Sequence, residues 1–88
     1  MFVILYYDVN EKRCNRMLKT CRKYLEWVQN SVFEGEMSEA GFEKMIYELN
    51  KILKNDEGDS LVVYKFRQMK YYERKVYGAD KKGELQFI

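Results

Sequence analysis

Met1-Phe2-Val3-Ile4-Leu5-Tyr6-Tyr7-Asp8-Val9 decides the fold. Residues 1–9 form an apolar run rich in β-branched and aromatic side chains, interrupted only by Asp8 near its end. Such a run suits a central strand buried on both faces. The strand stops at Asp8-Val9-Asn10, where polar residues take over.

Downstream, Cys14, Met17, Leu18, Cys21, Tyr24 and Leu25 recur at the spacing of one helical face over residues 12–25. The opposite face carries Lys12, Arg13, Arg16, Lys19, Arg22 and Lys23. Residues 27–36 read as extended, either one kinked strand or two short strands broken near Asn30. Gly35 marks a bulge or a close backbone approach. Ser38 suits the N-cap of a second helix, with Met37 and Phe42 as a hydrophobic staple. Phe42, Met45, Ile46, Leu49, Ile52 and Leu53 continue that helix until the turn residues Asn55-Asp56-Glu57-Gly58-Asp59. Leu61–Phe66, Tyr71–Tyr77 and the short Leu85–Ile88 read as further strands, and residues 78–83 as a polar loop.

The order strand, helix, extended segment, helix, strand, strand predicts a two-layer α+β sandwich in one domain spanning residues 1–88. Two helices cover only one face of the sheet, yet the first strand is apolar on both. A second copy of the same sheet is the simplest cover for the other face, so the chain is expected to be a homodimer packed sheet to sheet. A domain of this length has a thin core, often extended by self-association.

The chain contains no histidine. That excludes Ser-His-Asp and Cys-His catalysis and histidine-ligated transition metals. Catalysis, if present, rests on carboxylates, tyrosines, lysines, arginines or a bound metal ion. Cys14 and Cys21 fall on one helix with Cα atoms roughly 10 Å apart, too far for a disulfide. They read as two buried small apolar residues. No apolar run approaches the ~20 residues that span a bilayer. The N-terminal run lacks the features of a signal peptide. A cytoplasmic protein with no membrane association is the expectation.

Net charge is +2, but its distribution is bipolar. Residues 1–33 carry +3, residues 34–59 carry −5 and residues 60–83 carry +5. Lys65, Arg67, Lys70, Arg74 and Lys75 interleave with Tyr64, Phe66, Tyr71, Tyr72 and Tyr77. Basic groups neutralise phosphates while aromatic rings stack, which suits nucleic acid. The same pattern also suits a solvated strand face whose tyrosines look into the core.

Asp8 ends the buried strand beside a basic helix start. It fits a turn or helix cap. It equally fits a ligand for Mg2+ or Mn2+, since hard cations take oxygen donors. One carboxylate per chain makes an incomplete site, and a two-fold axis bringing two Asp8 residues together would complete it.

Tyr7-Asp8-Val9 after the apolar strand, followed by Val28-Gln29-Asn30-Ser31-Val32-Phe33-Glu34-Gly35 leading into Met37-Ser38-Glu39-Ala40, resembles the small CRISPR-associated Cas-two family. The resemblance implies a ferredoxin-like fold: an antiparallel sheet with two helices on one face, dimerising through the other. It implies that residues 84–88 form a C-terminal strand paired with the partner subunit. It implies a metal-dependent endonuclease that hydrolyses phosphodiester bonds of RNA or double-stranded DNA during spacer acquisition in antiviral defence. Its alternative is a non-catalytic dimeric nucleic-acid-binding scaffold beside the CRISPR integrase subunit. Carried onto this chain, Asp8 and Ser31 are the catalytic candidates, and the two Asp8 of a dimer share one Mg2+ or Mn2+. Tyr7, Arg13, Arg16 and Phe33 are the candidates for nucleic-acid contact. Trp27 stands where many members carry an arginine.

Overall fold

The computed structural model describes residues 1–68 and 73–82. The first strand, β1, runs Phe2–Asp8 and is followed by α1, Glu11–Arg22. The extended segment resolves into two strands, β2 (Glu26–Gln29) and β3 (Val32–Glu36), joined by a tight turn in which Asn30 has φ 48°. Helix α2 covers Glu39–Ile52, one 3-10 turn covers Asn55–Glu57, and β4 covers Ser60–Phe66. The four strands form one antiparallel sheet in the order β2-β3-β1-β4. The predicted strand is therefore central, with β3 on one side and β4 on the other.

Alternation along β1 divides its side chains between two faces. Val3, Leu5 and Tyr7 point to the helices and are buried. They meet Phe33 of β3, Met17 and Cys21 of α1, and Met45, Leu49 and Ile52 of α2. Burying a side chain such as Leu5 or Leu49 contributes about 1.5–3 kcal/mol, so this single layer carries most of the stability. Phe2, Ile4, Tyr6 and Asp8 point the other way. Cross-strand partners share a face, so Phe66, Tyr64 and Val62 of β4 and Glu34 and Val32 of β3 join them there.

Ser38 caps α2 by accepting the Gly41 N–H at 3.0 Å, and Met37 and Phe42 pack against the core. Gly35 is a close approach: a Cβ there would lie 3.2 Å from Leu25 Cδ2. The bulge sits instead between Trp27 and Gln29, where the β2–β3 register shifts.

Two sequence expectations need correction. Residues 73–77, the described part of the expected Tyr71–Tyr77 strand, have no strand pairing. Side chains hold the segment across the outer face of the sheet rather than along an edge. Arg74 donates to Glu34 at 2.6 Å and pairs with Asp80 at 3.1 Å, and Lys82 reaches Glu34 at 3.1 Å. Cys14 is exposed, not buried: it shares the helix face of Cys21 but stands two turns earlier, in the first turn of α1. The expected strand at 84–88 lies outside the described residues.

One carboxylate ties the chain ends of three elements together. Asp59 is buried and accepts from the backbone N–H of Asn10 (2.9 Å) and of Lys54 (3.0 Å). It also accepts from Arg13 Nε at 2.5 Å and from a terminal guanidinium nitrogen at 2.9 Å. The start of α1, the exit from α2 and the entry to β4 thus converge on one side chain. The Arg13 guanidinium, opposed by burial and helped by the two backbone donors, holds the Asp59 carboxyl well below the usual carboxylate range.

A depressed native pKa contributes stability that is fully present above the unfolded value, about 4 for Asp, and is lost as pH falls below it. Asp59→Asn is expected to lower the urea midpoint at about pH 7, with the gap to the unsubstituted chain narrowing toward about pH 3. Equal pH profiles for the two chains would contradict the clamp.

Candidate nucleic-acid and metal site

Asp8 is the last residue of β1, opposite Ser60 of β4, and exposed. Being two residues beyond Tyr6, it shares the outer face with Tyr6, Ile4 and Phe2. The capping task suggested for it falls to Asn10, whose side chain accepts the Lys12 N–H at 3.0 Å. Among the described residues no hydrogen bond or ion pair ties the Asp8 carboxylate down. Beside it the rings of Tyr6 and Tyr64 lie 6.4 Å apart at 32°, both exposed on the outer face. The Tyr64 phenol, with some burial, raises the pKa of the Tyr6 hydroxyl.

Ser31 sits in the hairpin turn between β2 and β3, half-buried. Its carbonyl accepts the Tyr7 N–H at 3.3 Å. Tyr7 stacks on Phe33 with ring centroids 6.3 Å apart and an interplanar angle of 20°. Burial is the main cause that pushes the Tyr7 hydroxyl above its ordinary pKa, so it stays protonated near neutrality.

These facts correct two of the nucleic-acid candidates. Phe33 is fully buried and Tyr7 is 6% exposed, so both are core residues out of reach of a nucleic acid. Alternation is the reason: both fall on the helix-facing side of their strands. Arg13 is a third correction. It is 8% exposed, and its guanidinium is committed to Asp59 and, at 3.3 Å, to Glu57. A phosphate would have to displace a buried carboxylate to reach it.

Arg16 keeps its expected exposure. It lines a groove of about 350 Å³ with Lys19 and Thr20 of α1 and Glu48, Lys51 and Ile52 of α2. With Lys12 and Lys23 it makes a basic stripe along α1. That stripe lies on the helix layer, whereas Asp8 shares the outer face of the sheet. The structure therefore groups Asp8 with Tyr6 and Tyr64, keeps Arg16 apart from them, and withdraws Tyr7, Phe33 and Arg13 into the interior.

Charged residues that sequence reasoning did not single out do much of the fixing. Asp59 is one. Glu34, buried on the outer face, receives Arg74 and Lys82. Glu48 receives Lys23 at 2.5 Å and the Tyr24 hydroxyl, joining the end of α1 to α2. Residue type did not mark Glu34, since its strand carries a second carboxylate at Glu36. Nothing local marks Asp59, whose partner Arg13 lies 46 positions away.

As a donor set, one protomer offers a divalent cation the Asp8 carboxylate. Among the described residues no group of three or more potential ligands exists. Cys21, its thiol pushed up to about 12 by burial, is closed to metals. An uncommitted, exposed carboxylate does fit a hard cation as one ligand of a hydrated ion.

Comparison with known proteins places the chain. The family model described as "CRISPR associated protein Cas2" matches residues 1–74. "CRISPR-associated endoribonuclease Cas2" of Dictyoglomus turgidum is 49% identical over 88 residues, covering 100% of both chains. The protein of that name from Thermotoga maritima is 46% identical, covering 100% of this chain and 99% of its own. A solved structure described as "Crystal structure of cas2" superposes with a TM-score of 0.81 at 43% identity, covering 100% of this chain and 97% of that one.

The two arginines of α1 are expected to part company on substitution. Arg13→Ala leaves Asp59 buried and unpaired and lowers the melting temperature by roughly ten degrees or more. Arg16→Ala leaves it within a few degrees and weakens RNA or duplex binding, with a salt slope reduced by about one. Thermal melts and a salt titration of binding check both.

Proposed function

This chain belongs to the CRISPR-associated Cas2 family, and on that premise we propose how its residues serve that family's chemistry. The chain is a CRISPR-associated endonuclease with a role in spacer acquisition, and RNA is the substrate class in its relatives' names. The observation that carries the site is the place of Asp8: exposed, uncommitted, and at the end of the outer face of β1.

The outer face is the surface through which two copies pack. Tyr6 is 40% exposed and Tyr64 is 52% exposed, an apolar area that one chain leaves open to water. Packing two such faces about a two-fold axis brings both Asp8 residues to the same interface. Together they hold one Mg2+ or Mn2+. Such a cation supplies polarisation of a phosphodiester and a more acidic water. Tyr6 and Tyr64 border the carboxylates. Ser31 acts through Tyr7, fixing the end of β1 rather than touching substrate. Arg16, Lys19 and Lys51 supply a separate phosphate-binding surface on the helix layer. Such a surface suits nucleic acid or docking beside an integrase subunit. No helix among the described residues is long and apolar enough to cross a membrane, and the cytoplasm is the compartment that suits this role.

Asp8→Ala is expected to lower Mg2+-dependent RNA cleavage by roughly a hundredfold or more while leaving the fold and the dimer intact. Cleavage that survives the substitution would remove Asp8 from the chemistry. Tyr6→Arg is expected to shift the chain from dimer to monomer in light scattering and to lose cleavage with it, although Asp8 is untouched. A dimer unaffected by Tyr6→Arg would move the interface elsewhere.

A further inference from the structure

Three local irregularities meet at one end of the sheet. The β2–β3 ladder shifts register between Trp27 and Gln29. Asn30 adopts a left-handed conformation at φ 48°, which asparagine tolerates better than most side chains. Trp27 Nε1 donates to the Asn30 carbonyl at 2.9 Å, closing the turn from the side. A tight hairpin turn calls for a left-handed residue, but the ladder needs neither the bulge nor the indole bond to pair. Bulges and left-handed non-glycine residues gather where a chain must be aimed.

The fixed turn has one neighbour in the central strand, Tyr7. Ser31, next in sequence to Asn30, receives the Tyr7 N–H through its carbonyl at 3.3 Å. A second route runs through the rings. Trp27 lies directly across from Phe33, and Phe33 stacks on Tyr7. Both routes start at one indole and end on the residue before Asp8.

We infer that Trp27 is a positioning residue for Asp8: its indole sets the hairpin turn, and the turn sets the end of β1 from which the carboxylate projects. The inference rests on the reading of Asp8 as a cation ligand. Groups that orient a ligand without touching the ion change metal affinity by roughly 10–100-fold when removed.

Trp27→Phe keeps a ring opposite Phe33 and removes the indole N–H. Mn2+ binding is followed by electron paramagnetic resonance for the unsubstituted chain, Trp27→Phe and Asp8→Ala. The expected result is Mn2+ affinity about tenfold weaker in Trp27→Phe, a melting temperature within roughly five degrees of the parent, and specific binding lost in Asp8→Ala. Parent-like binding by Trp27→Phe beside lost binding by Asp8→Ala overturns the positioning role alone. Parent-like binding by Asp8→Ala overturns the reading of Asp8 and takes the inference with it. Trp27 is the only tryptophan in the chain, so its emission reports on the unsubstituted protein. Mg2+ is expected to shift that emission, and to leave it unchanged in Asp8→Ala. An emission indifferent to saturating Mg2+ in the parent chain overturns the inference without any variant that has to fold.

Discussion

A central strand that is apolar on both sides has to be covered twice, and the architecture follows from that requirement. The helices α1 and α2 cover Val3, Leu5 and Tyr7 completely. On the other face Phe2 is covered and Ile4 half-covered, while Tyr6 stays open. Coverage there is uneven because a short segment crossing the face does the work of a missing layer. It is anchored by a few ion pairs on Glu34 and spans a cavity of about 360 Å³ over Ile4, Val28 and Val32. Glu34 is buried, and its ion pairs largely offset the cost of its desolvation rather than adding net stability. The energetic weight of the domain therefore sits in one layer, and the second face is where the chain has reason to associate.

The same alternation that separates core from surface separates chemistry from support. Asp8 and Tyr7 are neighbours in sequence but project to opposite faces. One is left to solvent and the other joins a buried ring stack. Arg13 and Arg16 show the helical counterpart. They lie three positions apart on α1, yet Arg13 turns into the clamp on Asp59 whereas Arg16 opens on the groove toward α2. Residue type alone suggested a phosphate contact for each, and burial reserves that use for one.

Much of this was legible in the sequence, for identifiable reasons. A continuous apolar run located β1, and helical spacing located both helices because each has a strongly patterned apolar face. The cap at Ser38 and the close approach at Gly35 were readable from residue type because their geometry is local. Tyr7 and Phe33 were misplaced as contacts because a motif gives order along the chain without saying which face of a strand is filled. Residues 73–77 look like a strand by composition, yet they join neither edge strand, β2 nor β4, and Arg74 and Lys82 bind Glu34 instead. Cys14 misled because it shares the helical face of Cys21 but stands in the first turn of α1, and the face alone does not decide burial at a helix end. Asp59 could not be found at all, because its meaning depends on an arginine 46 positions earlier.

That separation has a consequence for how the protein is made. Synthesis runs from the N-terminal side, so Arg13 and the whole of β1 exist well before Asp59 and β4 are added. Until then the guanidinium has no buried partner, α1 lacks the anchor at Asn10, and the central strand has one neighbour instead of two. Contacts this distant in sequence close late and close together. The nascent chain should therefore stay uncommitted on the ribosome until its last third has emerged, and then fold in a single cooperative step.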